Sequence, residues 1–260
     1  MKAGYARRTL SGLPAILLLI GLLGAWELYV DLGGIDSAVW PSPHQVASAL
    51  YNDRSLLWHS FLVTAPEVLL GILVAALAGF VLALAIHLSR TARRAAYPLV
   101  VGSQAVPVPI LAAPLAFWLG FGILPKLAVV ALVSFFSIVV TTLDGFAAVD
   151  PELLKLMRTF DAPRLRTLRE IELPAALPSV FTGAKIAVAV SVIGAVLAEW
   201  TGSNSGLGFQ LQLSINQLLP ARMVAIVVIL SLFAIGLFVL LSAAERIAAP
   251  WAYRPIGERQ

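Results

Sequence analysis

PELLKLMRTFDAPRLRTLREIELPAALP, residues 151–178, is a charged segment in an otherwise apolar sequence. Its first half places Leu153, Leu156, Met157 and Phe160 at helical spacing, with basic residues between them. A segment with this many charges is too polar to cross a bilayer, although it lies between two long apolar runs. We therefore predict an amphipathic structure that lies at the membrane surface.

The composition of the whole chain places it in a membrane. Of its 260 residues, 60% are hydrophobic and 12% are charged, whereas an ordinary soluble domain has about 25% charged residues. A helix needs about 20 mostly apolar residues to cross the hydrocarbon core. Runs of that order, uncharged except for Lys185, occur at Thr9–Trp26, Val68–Ile86, Ala95–Pro125, Leu127–Leu143, Leu173–Ala198 and Met223–Ala244. The sequence predicts an all-α membrane protein of about six transmembrane helices, forming one domain over residues 1–260 with its core at 60–250.

The distribution of basic residues predicts the orientation of the chain. If the N-terminus is cytoplasmic, fourteen of the 18 Lys and Arg residues lie in inner segments, and only Arg54, Lys126 and Arg222 lie in outer ones. This positive-inside bias predicts that both termini are cytoplasmic and that residues 151–178 face the cytoplasm. Because topology accounts for the net charge of +4, we predict no nucleic-acid partner.

The charged segment has the start and stop signals of two short helices. Asp150 is a suitable N-cap, and Pro151 fits the first helical position. Asp161 ends the first helix, because aspartate tolerates left-handed backbone better than most residues. Pro163 opens a second helix, which Leu173-Pro174 breaks before the next membrane span. Two short helices joined by a tight turn form a compact knob, for which an amphipathic loop resting on anionic lipid is the alternative.

The third apolar run is interrupted by prolines. Pro107 and Pro109 follow Gln104 closely, and Pro114 comes shortly afterwards. Each proline removes a backbone donor and clashes one turn back, and carbonyls freed in lipid must find other partners. We predict a helix broken twice, which either lines a pathway or is kinked within a packed bundle.

Four ionisable residues lie within the predicted spans or directly at their ends, and such groups in a membrane are costly and often functional. Glu67, Asp144 and Glu199 are near helix ends, and hydration at the membrane interface is the simplest explanation for them. Lys185 lies about two turns into the fifth helix, and either lines a pathway or forms a salt bridge at the inner face. The residues predicted to line a pathway are Gln104, Pro107, Pro109, Ser134, Lys185 and Ser191.

The sequence contains no catalytic motif. There is no cysteine, which excludes disulfides and thiolate metal sites. A phosphate-binding loop ends in Gly-Lys-Ser/Thr, and none of the four lysines follows a glycine. Ser203 lies between glycines, but a serine nucleophile needs a nearby base. The three histidines are His44, His59 and His87; none lies in the sixth span, and His87 is near the opposite end of the second span. Any ATP must therefore be hydrolysed by another chain.

Residues 151–178 resemble the cytoplasmic coupling signature of ABC importer permeases. That signature is Glu-Ala-Ala, three residues, Gly, nine residues, Ile, one residue, Leu-Pro. The corresponding positions here are Lys155, Leu156, Met157, Asp161, Ile171, Leu173 and Pro174. Lys155 and Asp161 depart from the signature, which leaves open which contacts with the ATPase are retained.

Other segments resemble one subgroup of these permeases, and the similarity covers about residues 40–250. They are Trp40–Pro43, the proline run of the third helix, Phe135–Gly145, Ala198–Ser203 and Gly206–Gly208. The subgroup handles nitrate, alkanesulfonates, taurine and the pyrimidine precursor of thiamine. Phe135–Gly145 favours the thiamine-precursor or riboflavin branch.

The resemblance implies a type I ABC importer permease fold in a bacterial inner membrane, with a coupling loop at about 150–174. Two copies surrounded by lipid would form the pathway, with two ATPase subunits on the loops and a periplasmic or lipid-anchored binding protein outside. No cofactor is expected on this chain, since the partner uses the ATP. The implied coupling residues are Leu156, Met157, Phe160, Asp161, Ala162, Arg166, Ile171, Leu173 and Pro174.

The implied substrate is a small organic solute or anion, with the thiamine pyrimidine precursor favoured over alkanesulfonate, taurine, nitrate or riboflavin. An ion-coupled secondary transporter is a rival of another class. It would require acids at mid-depth and repeated halves, neither of which is evident. A structural scaffold, the second rival, would have no use for a coupling loop.

Overall fold

The computed structural model describes residues 13–36 and 39–253, apart from the side chains of residues 13, 15, 108 and 109. Within those ranges the chain is helical and contains no β-strand, which confirms the predicted all-α class. The helices are α1 Leu13–Leu32, α2 Pro43–Asn52, α3 Arg54–Leu88, α4 Arg90–Ser103, α5 Val108–Leu119, α6 Ile123–Ala147, α7 Pro151–Thr159, α8 Arg164–Thr167, α9 Leu173–Gly202, α10 Leu207–Asn216 and α11 Pro220–Ala248. A π-helical turn, Leu168–Glu172, joins α8 to α9, and a 3₁₀ turn, Pro250–Tyr253, follows α11.

Four helices in the described ranges are long and apolar enough to cross a membrane. They are Arg54–Leu88, Ile123–Ala147, Arg164–Gly202 and Pro220–Ala248, which correspond to the predicted spans 2, 4, 5 and 6. The first predicted span corresponds to α1, and its residues 9–12 lie outside the described part of the chain. The third predicted span corresponds to α4 and α5, neither of which is long enough to cross alone.

The third predicted span is broken once, between α4 and α5, and the predicted second break at Pro114 is wrong. Pro109 lies in the first turn of α5, where the missing N–H has no helical partner to lose. Pro114 lies inside α5 without ending it. The basic residues Arg90, Arg93 and Arg94 lie at the start of α4, whose N-cap Ser89 accepts a hydrogen bond from the Ala92 N–H at 3.2 Å.

The predicted break at Leu173-Pro174 is also wrong. The chain passes from α8 into α9 through the π turn, in which the Leu173 N–H donates to the carbonyl of Leu168, five residues earlier. A proline normally clashes with the carbonyl of the preceding turn, and the wider π turn relieves that crowding. Arg164–Gly202 is therefore one continuous helical path.

The chain divides into two compact units, of which the first comprises Met1–His59 and Gln210–Ile229. In this unit, α2 begins with a capping box in which Gln45 accepts from the Ser42 N–H at 3.0 Å. Arg222 donates two hydrogen bonds to Asp53, at 2.7 and 3.0 Å, and this bidentate pair joins α2–α3 to α11 inside the unit. The division does not test the prediction of a single domain, which stays a prediction.

The second unit comprises Ser60–Phe209 and Leu230–Gln260. Its core is the contact between α6 and α9, where Ile138 and Ala187 are buried together with Ala75 of α3. Gly183 allows this close approach, because a Cβ atom there would lie 3.0 Å from the Ser137 carbonyl oxygen and 3.1 Å from the Ile138 Cα. Small residues that bring two backbones together are typical of helix contacts in membranes.

Candidate functional site

The coupling loop, residues 150–174, begins as the sequence predicts. The Asp150 side chain accepts a hydrogen bond from the Glu152 N–H at 2.8 Å, and Pro151 occupies the first helical position of α7. An acidic cap and an acidic first turn both favour the positive end of the helix dipole. These interactions stabilise a helix of nine residues that has no buried side chain of its own.

An apolar stripe on the coupling loop is exposed. It comprises Leu153, Leu156, Phe160 and Leu165, which are 43%, 50%, 73% and 73% exposed. We call these four residues the coupling face. Exposed apolar side chains grouped among charged residues typically mark a surface that another protein or the membrane covers.

The turn after α7 is closed by backbone hydrogen bonds around Asp161. Asp161 has φ +49°, as its predicted left-handed backbone requires. Its N–H donates to the Arg158 carbonyl, and the Ala162 N–H donates to the Met157 carbonyl, both at 3.0 Å. This is the Schellman arrangement, which satisfies the last carbonyls of a helix. The direction in which the chain leaves α7 is thus set by the backbone of one residue.

Buried polar contacts anchor the second half of the loop. Glu172 is buried, accepts a hydrogen bond from Arg164 Nη1 at 2.5 Å, and lies 3.0 Å from His87 Nε2 through its other oxygen. The His87 ring stacks on Phe146 at 4.3 Å between ring centroids. These four side chains, the loop anchor, connect α8 and the π turn to α3 and α6.

The nine predicted coupling residues differ in exposure. Four are exposed and available to a partner: Leu156, Phe160, Asp161 and Arg166. Five are half-buried: Met157, Ala162, Ile171, Leu173 and Pro174. Arg166 donates to Glu170 Oε1 at 3.0 Å. Their roles in coupling stay a prediction.

At the other end of α9, Glu199 is fully buried, so the predicted interfacial hydration of this residue is wrong. Its carboxylate accepts hydrogen bonds from Thr64 Oγ1 at 2.6 Å, the Gly208 N–H at 2.5 Å and the Phe209 N–H at 3.2 Å. Gly206 has φ +110°, and a Cβ atom there would collide with this carboxylate. The buried acid therefore holds the start of α10 against α9 and α3.

Glu67 is also buried, and the hydration predicted for it is wrong as well. Lys126 Nζ donates to Glu67 Oε1 at 2.6 Å and to Ser203 Oγ at 2.8 Å. Glu67 is 3% and Lys126 is 7% exposed. A cavity of about 790 Å³ opens beside this pair, lined also by Phe121, Trp200 and the turn 202–205. We call it the outer cavity, after the orientation predicted from the sequence. Asp144, the third acid, is exposed as predicted.

The residues predicted to line a pathway are not brought together in one chain. Gln104 and Pro107 are exposed at the break between α4 and α5, where Gln104 lines a second cavity of about 490 Å³. Ser134 and Ser191 are buried, and the Ser191 hydroxyl donates to the Val188 carbonyl of its own helix at 2.7 Å. The side chain of Pro109 is not among the side chains that the structure describes.

Lys185 forms an ion pair, which is one of the two predicted alternatives. Its ammonium group pairs with the buried carboxylate of Glu245 in α11. The same carboxylate accepts a hydrogen bond from the Tyr253 hydroxyl at 2.5 Å, and this bond raises the pKa of the tyrosine. One acid thus joins α9 to α11 and to the turn that follows α11. A pathway role for Lys185 stays a prediction.

Most of the chain matches a known protein family. Residues 68–252 match the family described as binding-protein-dependent transport system inner membrane component. The chain belongs to this family. It is therefore a permease subunit of an ABC importer, and it is not an enzyme, because the ATPase of such a transporter is a separate subunit. A permease of this kind works with an ATPase and a substrate-binding protein.

Individual relatives agree with this assignment. The permease is 38% identical over 194 residues to a probable ABC transporter permease protein of Haemophilus influenzae, covering 74% of this chain and 79% of the relative. It is 32% identical over 246 residues to the formylaminopyrimidine transport permease protein ThiX of Halalkalibacterium halodurans, covering 94% and 98%. A crystal structure of an amino acid ABC transporter shares its fold, with a TM-score of 0.60 at 14% identity, over 77% of this chain and 96% of that one.

Sequence reasoning missed two parts of the permease. Glu172 occupies the unspecified position between Ile171 and Leu173 of the signature, so only its charge beside an apolar run could have singled it out. Along the chain, Lys126 lies 59 residues from Glu67, and Thr64 lies 135 residues from Glu199. No spacing rule connects such residues before the fold is known.

Proposed function

We propose that this permease imports the pyrimidine precursor of thiamine, or a closely similar aminopyrimidine, as one half of a homodimeric pathway. Two ATPase subunits bind the two coupling loops, and a periplasmic or lipid-anchored binding protein delivers the solute from outside. The permease itself binds no cofactor, since its partner uses the ATP, and both termini are cytoplasmic. The similarity along nearly the whole chain to a relative named for formylaminopyrimidine transport supports this choice of substrate.

The exposed coupling face on an anchored loop is the observation that carries the proposal. Leu156 and Phe160 offer apolar surface to a partner, while Arg164 and Glu172 fix the loop to the membrane helices. A loop that only rested on lipid would have no use for such an anchor. An ATPase that closes on the coupling face therefore moves the loop and its anchor together.

The continuous helix Arg164–Gly202 carries this movement across the membrane. Its 39 residues span about 58 Å at the rise of an α-helix, from the loop anchor to the turn that Glu199 holds. A displacement at the coupling face is thereby transmitted to the outer end of α9. In the dimer, the break between α4 and α5 changes shape with it, and Gln104, Pro107, Pro109, Ser134, Lys185 and Ser191 line the solute's route.

Co-purification and transport test the coupling assignment. The permease is expressed with its ATPase, and the complex is reconstituted into vesicles with the binding protein. Phe160→Asp places a charge in the coupling face, and we expect it to abolish ATPase retention and ATP-driven uptake.

Thr159→Asp is the matched control. It adds the same charge one residue earlier, at an exposed position outside the apolar stripe, and should retain the ATPase. Full retention and uptake by Phe160→Asp would refute the assignment. Uptake driven by a proton gradient without any ATPase would refute the importer mechanism itself.

A further inference from the structure

A further cavity lies at the end of the membrane helices that carries the coupling loop. Its volume is about 520 Å³, within the usual range of small-molecule sites, about 300–1,000 Å³. Its walls come from the end of α3, the first half of α4, the end of α6 and the start of α7, all within the second compact unit. We call it the inner cavity, after the predicted orientation.

The polar walls of the inner cavity are basic. Arg90, Arg93 and Tyr97 line it from α4, and their spacing of three and then four residues places them on one face of that helix. His87 lines it from the end of α3. Among the described residues of the lining, Asp144 is the only acid. Two guanidinium groups, which are always charged, therefore share the cavity with a single carboxylate.

The charges of the two arginines are not compensated within the described part of the chain. The ion pairs found there include neither Arg90 nor Arg93. Both lie at the start of α4, whose first turn contains no acid. Positive side chains at a helix N-terminus face the positive end of the helix dipole, which is unfavourable. An anion in the inner cavity would offset the arginine charges and the dipole together.

The position of the inner cavity favours a phospholipid as the source of this anion. The membrane helices α3 and α6 end beside it, and the headgroup region begins where the hydrocarbon core ends. Basic pockets between membrane helices on the cytoplasmic side typically bind lipid headgroups, and arginine binds phosphate through paired N–H groups. Leu143 and Leu154, both half-buried, add apolar surface to the lining, which suits a lipid better than a small phosphate ester.

We propose that the inner cavity binds the phosphate group of an anionic phospholipid, which accepts hydrogen bonds from Arg90 and Arg93. The cytoplasmic placement of the cavity rests on the proposed function. Leu154 belongs to α7 and His87 to the loop anchor, so a lipid bound here contacts the base of the coupling loop. Soluble phosphate esters share the same chemistry, and the experiment must separate them from a lipid.

Lipid binding to the intact complex tests the inference. The permease–ATPase complex is purified in a neutral detergent, and native mass spectrometry counts the phosphatidylglycerol molecules bound as the lipid is titrated. We expect one tightly bound phosphatidylglycerol per permease that phosphatidylcholine does not displace. Arg90→Gln and Arg93→Gln should each weaken this binding about tenfold or more, as loss of a charge-assisted hydrogen bond predicts.

Arg94→Gln is the matched control. It removes the same charge from the same end of α4, at an exposed position that does not line the inner cavity, and should bind phosphatidylglycerol like the wild type. General attraction of a basic segment to anionic lipid acts on every arginine near the surface. Equal losses in all three arginine variants would therefore overturn the inference.

A second pair of variants leaves every charge in place. Ala147 is exposed and lines the inner cavity, so Ala147→Phe fills it and should also weaken binding about tenfold or more. Ala148 is exposed, follows directly and does not line the cavity, so Ala148→Phe should bind like the wild type. Unchanged affinity in Ala147→Phe would overturn the inference.

Two further results would also overturn it. One is the absence of any tightly bound phosphatidylglycerol on the wild type, and the other is its displacement by glycerol phosphate at equal concentration, which would assign the cavity to a soluble phosphate ester. ATP-driven uptake is measured on the same complex, reconstituted with its binding protein. Normal uptake without lipid binding refutes only this inference, whereas no ATP-driven uptake of any solute refutes the proposed function.

Discussion

Replacing Asp161 with valine perturbs the turn that sets the direction of the coupling loop. Asp161 has φ +49°, and a β-branched residue is strongly disfavoured there. The left-handed region costs an L-residue about 1–2 kcal/mol, from which aspartate is partly relieved by local hydrogen bonds. At 25 °C a change of one or two kcal/mol alters an equilibrium between two turn conformations by a factor of about 5–30.

The perturbation is local, because the Asp161 side chain is exposed and the backbone bonds beside it close only one helix end. We therefore expect Asp161→Val to reach the membrane and to retain its melting temperature. Asp161→Gly is the matched control, since glycine adopts positive φ without steric cost.

The assay measures solute uptake and ATP hydrolysis in the same vesicles, with the ATPase and the binding protein present. The ratio of solute imported to ATP hydrolysed should fall about fivefold or more in Asp161→Val and should be unchanged in Asp161→Gly. Equal ratios in the two variants would show that the geometry of this turn plays no part in coupling.

Three further substitutions test other contacts. Glu172→Gln weakens the charge-assisted bond to Arg164, worth about 1.5–3 kcal/mol, and should lower uptake per ATP while the ATPase still co-purifies; an unchanged ratio would argue against the anchor. Thr64→Val removes a donor from the buried Glu199 and should destabilise the permease by about 1–3 kcal/mol, seen as a lower melting temperature in detergent that Thr64→Ser does not share. Gly183→Val should abolish accumulation of folded protein, because it adds two γ-methyl groups to a Cβ atom that already meets the backbone of α6. Gly183→Ala adds only that Cβ atom and should be less severe; normal yield of the valine variant would contradict the close packing.

The parts of the coupling loop that the sequence predicted are the parts decided locally. The Asp150 cap, the Pro151 start and the left-handed Asp161 each depend on residues within one helical turn. Their chemistry is therefore readable without knowledge of the fold.

The parts that could not be predicted depend on contacts between distant segments. From the sequence alone, a glutamate near a helix end could be either hydrated or hydrogen-bonded to another side chain. Glu67 and Glu199 bind Lys126 and Thr64, which only folding brings close to them. The continuity of α8 and α9 was likewise not predictable, because a proline ordinarily ends a helix. The residues around Pro174 do not indicate that a π turn will accommodate it.

The π turn Leu168–Glu172 also sets the rotational phase between the coupling loop and α9. Successive α-helical residues are offset by about 100°, so residues eight apart would point about 80° away from each other, while residues seven apart would nearly align. A π turn takes up one additional residue, and across it Arg164 and Glu172, eight apart, are brought to the same side, where they form their ion pair. If this turn were wound as a regular α-helix of the same length, the loop would rotate by about 100° relative to the membrane helix, which would separate the pair and turn the coupling face away from the side on which it now lies.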